Sequence, residues 1–404
     1  MTRHALIVGA GIGGLAAALA LKKQGWSLQI LEQSARLSEV GAGLQLGPNV
    51  TRILQAWGLE KALRECAAEP QRLVARHALH GHELGVLPLG QDMQRRWGAP
   101  YLTVHRADLH QVLLQALSQT LDTSALMLNQ KVIGVEAGQR VKVHTATRQV
   151  EAPLLIAADG LWSEVRTRLW ADAAPQPTGH VAYRALLNWQ DVPEAMRASQ
   201  VTVWLGPALH VVQYPVRAGQ AMNVVVIAHA APETTHAAPD DWDAQRTAQH
   251  LGAATNGVCA PLRGLLDVVS EWRRWDLYER APLQGPQGMA RDNVALLGDA
   301  AHPMRPYLSQ GAGMAIEDAQ ALAACLSEVQ AQHESVAHAL QRYAQERWQR
   351  NARVQARARR NGMIFHLPAP WSLARDLALR LAAPSLMNLP WLYGYQRSSA
   401  GHKL

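Results

Sequence analysis

The chain opens on a short apolar run, residues 5–8, followed by Gly9, Gly11, Gly13 and Gly14. A helical stretch follows from Leu15 and stops at Gly25, a C-cap after Lys22, Lys23 and Gln24. A second strand over 27–31 ends at Glu32. The uncharged stretch 5–21 is long enough to mimic a membrane segment, but the glycines near its start fit a buried strand–turn–helix better. A third apolar run, 154–158, ends at Asp159 and Gly160, and a fourth, 293–297, ends at Gly298 and Asp299. Beyond it a helix is predicted to start near Gly311, with Ala315, Ala319, Leu322 and Leu326 spaced as one apolar face. Between about 178 and 278 the texture changes to successive runs of strand length: 181–189, 200–205, 209–216 and 221–229. A smaller pair is predicted at 73–79 and 83–87, across Gly81. Alternation within 209–216 puts His210, Val212 and Tyr214 on one face, with the two polar groups roughly 13–14 Å apart along a straight strand. A bend before Pro215, or a ligand bridging them, would bring them together.

Composition narrows the classes. The 404 residues are 48% hydrophobic and 18% charged, which excludes a disordered tail, a collagen-like fibre and a coiled coil. The length predicts two or three folding units with a large core. A formal net charge of +7 suits anionic small ligands at least as well as nucleic acid. The arginine-rich stretch 342–360 carries interleaved apolar positions, so we expect a helix packed on the body with its basic side solvated, and no nucleic-acid partner. Cys66, Cys259 and Cys325 have no metal or redox spacing, pointing to a reduced, cytoplasmic protein without disulfides. The histidines show no His-x-x-x-His grouping, so no structural metal is expected.

Gly9, Gly11 and Gly14 form Gly-x-Gly-x-x-Gly inside a strand–helix–strand unit, with Glu32 in the acidic position beyond it. Gly9 allows the tight turn, Gly11 lets the main chain approach a pyrophosphate, and Gly14 lets helix and strand pack closely. The helix N-terminus offers N–H groups to phosphate, and Glu32 can accept hydrogen bonds from a ribose diol. A simple NAD dehydrogenase would not need the second strand–turn–helix module at Asp299. A long ligand lying across the sheet would. No second glycine motif marks a nicotinamide domain, and no cysteine pair marks a disulfide reductase. Electrons must come from a donor that visits briefly, or from the substrate.

On these three elements the chain resembles the single-component FAD-dependent aromatic hydroxylases, the family with the p-hydroxybenzoate hydroxylase fold. Residues 41–49, 104–109 and 390–395 extend the resemblance over nearly the whole length, nearest to the salicylate, 3-hydroxybenzoate and 6-hydroxynicotinate enzymes. Together with the strand pattern it implies an α/β protein. A Rossmann-like FAD-binding domain (1–70, 98–175 and 281–330) would carry an inserted mixed, largely antiparallel β-sheet substrate domain (71–97 and 176–280). C-terminal helices (331–404) would follow. The resemblance implies that Gly9, Gly11, Gly14 and Glu32 hold the ADP half of FAD, with main chain near Val132 against the adenine. It places Arg106 and Gln45 on FAD, Asp159 near the pyrophosphate and the NAD(P)H path, and Asp299 on the ribityl chain. Gly311 and Ala312 complete the cofactor set.

The implied reaction is ring hydroxylation of a small aromatic hydroxy acid. NADH or NADPH, a transient co-substrate, reduces FAD, and O₂ adds at flavin C4a to give the hydroperoxide that oxygenates the ring. The substrate phenol should lose its proton, and water must be excluded. On its residues alone His210 reads first as a satisfied sheet residue. The resemblance raises it to base or relay, because the 3-hydroxybenzoate and 6-hydroxynicotinate enzymes place an active-site His and Tyr at this spacing. Tyr214 would orient the phenol oxygen, with Gln45 and Tyr307 as further substrate contacts. Val212, Trp204 and Leu308 are expected as an apolar wall. Arg184 and Arg305 are candidates for a substrate carboxylate but read first as solvated surface charges. Gln45 and Tyr307 depart from the pattern of the 6-hydroxynicotinate enzyme and Pro306 from that of the 3-hydroxybenzoate enzyme, so the acid itself stays unnamed. A homodimer is compatible with this reading. A flavin oxidase or dehydrogenase on the same scaffold and a non-enzymatic basic binding protein remain as alternatives.

Overall fold

The computed structural model describes residues 3–37, 43–230, 244–331 and 334–397. Positions 41 and 42 of the matching 41–49 segment, and 332–333 and 398–404 of the expected C-terminal helices, lie outside them.

The apolar run at the start becomes strand His4–Val8, buried almost throughout, as a parallel strand covered on both faces requires. It lies inside a six-stranded sheet ordered Ala290–Arg291, Val294–Leu296, Leu155–Ala157, His4–Val8, Ser27–Leu31, Leu126–Met127. Every pairing is parallel except that of the edge strand Ala290–Arg291. The chain leaves His4–Val8 for Ser27–Leu31 on one side, and Leu155–Ala157 lies on the other. Such a reversal of strand order opens a crevice at the carboxyl ends of the strands. The first helix, Ile12–Lys22, begins three residues before the expected Leu15, because extended Gly11 already serves as its N-cap. It packs on helix Gly311–Ala331 closely enough that a Cβ on Gly13 would stand 3.4 Å from the Ala315 Cβ.

The second sheet has seven strands ordered Arg273–Glu279, Gln176–Asn188, Ala221–His229, Leu209–Val216, Gln200–Gly206, Arg72–His77, Glu83–Pro88. It is mixed and largely antiparallel; only Gln200–Gly206 and Arg72–His77 run parallel. Strand Gln176–Asn188 starts five residues before the expected 181, and the edge strand Arg273–Glu279 has no counterpart in the sequence reading. One face of this sheet, with Trp204, Val211, Val224 and Val226, is covered by Leu262 and Leu265 of helix Ala260–Asp267. The other face looks towards the C-terminal helices.

Helix Val336–Phe365 carries the arginine-rich stretch, and its basic side is solvated only in part: Arg353 and Arg360 are exposed. Arg347 is wholly buried, with Nη1 2.9 Å from Glu317 Oε2 and Nε 2.8 Å from Asp318 Oδ1. Arg350 pairs with Glu317 at 2.6 Å and Arg359 with Glu279 at 2.8 Å. These three arginines fasten the helix to the body. Among the described residues no helix is long and apolar enough to cross a membrane.

Candidate active site

Four segments meet at the carboxyl edge of the parallel sheet. Gly9 has φ +98°, and a Cβ there would stand 2.4 Å from the Ala158 carbonyl oxygen. A Cβ on Gly14 would lie 1.9 Å from the Gly9 oxygen, so the two glycines set the closeness of strand and helix. Gly11 caps the helix and directs its N-terminus outward from the sheet edge. Glu32 is fixed beside this turn, accepting from Ala10 N at 2.7 Å and from Ser34 N at 2.8 Å. Gln130 N donates to the Glu32 carbonyl at 2.8 Å and brings buried Val132 alongside. His110, which the sequence reading missed, bonds the Ala10 oxygen through Nε2 at 2.7 Å. Its position on a regular amphipathic helix gave no signal of that contact.

Asp159 follows its strand directly, and its main-chain N is 3.1 Å from where a Gly9 Cβ would be. One carboxylate oxygen accepts from Val165 N at 3.2 Å; the other is buried without a partner among the described residues. Burial pushes this carboxyl up. Arg166 ties the segment to the next turn, reaching the Ala300 and Ala301 carbonyls at 3.0 and 2.6 Å. Within that turn Asp299 is exposed, its Oδ1 3.9 Å from where a Gly311 Cβ would project. Gly311 and Ala312 open helix Gly311–Ala331, and Arg106 opens Arg106–Ser118. The glycine turn and Asp299 therefore share one edge. FAD fits this cradle: it needs glycines where no Cβ has room, and its hydroxyls can satisfy the orphaned Asp159 oxygen.

Beside the cradle lies a cavity of about 510 Å³ between the seven-stranded sheet, the turn Pro306–Leu308 and the C-terminal helices. Val203, Leu205, His210 and Val212 form its floor, and Leu308 and Phe365 face them. Trp204 does not belong to the wall. Strand alternation turns it to the opposite face, where its Nε1 donates to Gln213 Oε1 at 3.0 Å. Gln45 and Tyr101 close one end, with the Tyr101 hydroxyl donating to Gln45 Oε1 at 2.6 Å. Tyr214 lies next to them under strand Gly43–Leu46, where a Cβ on Gly43 would be 2.5 Å from its ring. Burial pushes its phenol up, against the pull of Arg184 and a hydrogen bond with Gln45.

At the other end His210 is 1% exposed and directs Nδ1 to His366 Nε2 at 2.8 Å. Burial, with help from His180, brings its imidazole down to about 3, so it is neutral across the physiological range. The Tyr307 ring lies 5.0 Å from that of His210, and its hydroxyl meets His180 Nδ1. Pairing is unbroken from Leu209↔Ala228 through Pro215↔Met222, so the chain has no bend before Pro215. His210 and Tyr214 stay four residues apart and reach one ligand only from its two ends.

The arginines differ most from expectation. Arg184 is no solvated surface charge: its guanidinium lies 4.7 Å over the Trp275 ring, and its buried Nε has no hydrogen-bond partner among the described residues. Burial, then the neighbouring Arg106 charge, lowers it to about 10. No carboxylate pairs with it among the described residues. Arg305 is taken by Glu279 through two hydrogen bonds of 2.9 and 2.8 Å. A further grouping was invisible in the sequence because its members come from three elements. One ring nitrogen from each of His180, His229 and His366 lies within 4.8 Å of the other two.

A dinucleotide cradle opening beside a mainly apolar pocket defines an FAD-binding protein with a site for a small ring compound. Residues 2–358 match the model of the FAD binding domain family. The chain is 35% identical over 400 residues to 3-hydroxybenzoate 6-hydroxylase of Polaromonas naphthalenivorans, covering 96% of this chain and 95% of that protein. It is 35% identical over 351 residues to 6-hydroxynicotinate 3-monooxygenase of Pseudomonas fluorescens, covering 86% of this chain and 88% of that protein. Among solved structures, Klebsiella pneumoniae HpxO complexed with FAD and uric acid superposes with a TM-score of 0.82. That pair is 25% identical, with 94% of this chain and 92% of the other covered. The chain belongs to the family of FAD-dependent aromatic hydroxylases and monooxygenases.

Proposed function

We propose that this monooxygenase hydroxylates a small aromatic hydroxy acid of the hydroxybenzoate or hydroxynicotinate type, using NAD(P)H and O₂. The observation that carries the reading is one sheet face bearing two complementary groups. Neutral, buried His210 stands at the cavity, and Arg184, a half-buried cation with no carboxylate partner among the described residues, stands two strands away on the same face. Neighbouring strands are about 4.8 Å apart, so a substituted ring with its extended arginine partner spans that gap. When bound, FAD supplies the electrons taken from NAD(P)H and the activated oxygen.

The chain supplies the rest. With Nδ1 committed to His366, His210 offers Nε2 to the phenol and takes its proton, which makes the ring nucleophilic. Val203, Leu205, Val212, Leu308 and Phe365 keep water from the reacting centre. We assign the carboxylate to Arg184 because it shares the sheet face of His210 two strands away; Arg305 is occupied by Glu279. Tyr214 and Gln45 serve that end of the substrate rather than the phenol oxygen, because the straight strand keeps Tyr214 away from His210. In this reading the parallel-sheet unit (1–70, 98–175, 281–330) holds FAD, and the second sheet (71–97, 176–280) holds the acid.

The test is NADH and NADPH consumption under oxygen, screened over salicylate, 3- and 4-hydroxybenzoate and 6-hydroxynicotinate, with products identified by mass. At least one acid should accelerate flavin reduction and gain one oxygen atom. If none does, the reading is wrong. His210→Ala should keep its flavin spectrum and lose about 10²-fold or more in hydroxylation rate; an unchanged rate would remove the base.

A further inference from the structure

The sequence carries no metal-ligand spacing, yet the fold assembles one from three separate elements. We propose that His180, His229 and His366 form a binding site for a zinc-class divalent transition ion, and that filling it disables His210. The disabling rests on the reading of His210 as the base; the metal site does not.

Geometry carries the site. His180 and His229 are directly opposed on the paired strands Gln176–Asn188 and Ala221–His229, so their rings leave the sheet side by side. His366 ends helix Val336–Phe365 over them, where Arg375 Nη1 holds the Phe365 carbonyl at 2.9 Å. With one nitrogen from each ring within 4.8 Å of the other two, a small closure completes a shell. An ion bonded at 2.0–2.1 Å in a tetrahedral shell sets its nitrogens about 3.4 Å apart, so each pair closes by at most about 1.4 Å.

The lone pairs are also in place. His366 Nε2 bonds His210 Nδ1 at 2.8 Å, while His366 Nδ1 is buried without a hydrogen-bond partner among the described residues. His180 Nδ1 meets the Tyr307 hydroxyl, which leaves Nε2 for an ion. Two of the three rings are thus oriented through their other nitrogen, as metal-binding histidines are. Burial is the main cause that lowers His180 to about 4 and His366 to about 2, so both rings are already in the neutral form that coordinates. The cations acting on the cluster are answered elsewhere, Arg305 by Glu279 and Arg375 by Asp376, at 2.8 Å each. His229 is exposed, which gives the ion an entrance and leaves a fourth position for water. Three imidazoles without a carboxylate suit zinc or cobalt and not magnesium or calcium.

The bound ion acts on His210 through a tautomer. Coordination uses the lone pair of His366 Nδ1, so that ring must carry its proton on Nε2. Nε2 then donates to His210 Nδ1, and neutral His210 carries its own proton on Nε2, the nitrogen facing the phenol. There it can donate and no longer accept. Each ring moves one proton from Nδ1 to Nε2, and none is gained or lost.

The experiment titrates untagged, chelator-treated, FAD-loaded enzyme with Co²⁺ and Zn²⁺. One equivalent of Co²⁺ should give visible ligand-field bands beyond the flavin absorption, with no thiolate charge-transfer band, and Zn²⁺ should abolish them. One equivalent of Zn²⁺ should slow hydroxylation of the acid that drives NAD(P)H oxidation at least about tenfold, reversibly with chelator, while Mg²⁺ does nothing. His229→Ala should hydroxylate like wild type without metal, bind Co²⁺ at least about 100-fold more weakly and resist Zn²⁺. His366→Asn, read by the cobalt spectrum alone, should bind as weakly. Cobalt bands absent from wild type, or unchanged in His229→Ala, overturn the site. Wild type that binds Co²⁺ there and hydroxylates undiminished with Zn²⁺ overturns the disabling of His210. A His210→Ala variant that hydroxylates like wild type removes the base and the disabling together, and the cobalt titration judges the site by itself.

Discussion

Single residues set the tolerances of this molecule. Gly14 has no room for a methyl group against the Gly9 oxygen. Gly14→Ala must push the first helix away from its strand and spoil the N–H array at the helix start. We expect Gly14→Ala to purify without flavin, with FAD affinity down about 100-fold or more, as flavin absorbance and equilibrium titration would show. Arg184 gives a prediction of the opposite kind. Arg184→Gln should fold and hold FAD, while KM for the acid rises about 100-fold, the worth of a charge-assisted hydrogen bond. The corresponding amide should be little affected. His210 links the site to pH. Its folded value of about 3 lies below the ordinary histidine value of 6.5, so below pH 6.5 the unfolded chain takes up a proton that the fold refuses. Stability should therefore fall as pH drops from about 6.5 towards 3, by up to about 1.4 kcal/mol per pH unit from this ring. Thermal melts of wild type and a His210→Gln variant across that window would show the slope shrink in the variant.

Among the elements, helices Gly311–Ala331 and Val336–Phe365 are joined by a buried ionic cluster. Arg347 lies between Glu317 and Asp318, and Asp318 also accepts from His302 and Asn351. Removing one partner from such a cluster strands the others in a low-dielectric site. Arg347→Ala should cost about 3–5 kcal/mol, read as a shift in the denaturant midpoint. Burial acts to raise Asp318, but His302 and Arg347 outweigh it and hold this carboxyl below its ordinary range. Its contribution is thus complete above about pH 4 and lost as acid protonates it. The sequence pattern reveals strands such as Leu209–Val216 and Ala221–His229 end to end, because each is apolar and bounded by turn residues. It hides Arg273–Glu279, whose charged side chains pair across a half-buried edge. It also makes the arginines of Val336–Phe365 look solvated, since nothing along the chain shows that Glu317 and Asp318 face them. The glycine turn is legible because the crowding at Gly9 and Gly14 fixes their residue type. The histidine cluster and unpaired Arg184 are not, because only the tertiary fold brings their neighbours to them.

At the scale of the whole molecule, the six-stranded sheet presents its carboxyl edge beside the cavity floored by the seven-stranded one. A ligand spanning that edge binds only the assembled protein. FAD should accordingly raise the melting temperature, by an amount equivalent to about 2.7 kcal/mol at a hundred times its Kd. Apo-enzyme melting unchanged on adding FAD would contradict the cradle. The proposed pairing of the substrate carboxylate with Arg184 has one further consequence. Under that assignment a neutral aromatic of the same shape would leave the guanidinium without a carboxylate, whereas an anion would supply one. Discrimination then comes less from the fit of the ring than from that pairing, and uncharged phenols should be turned away before they can waste reducing equivalents.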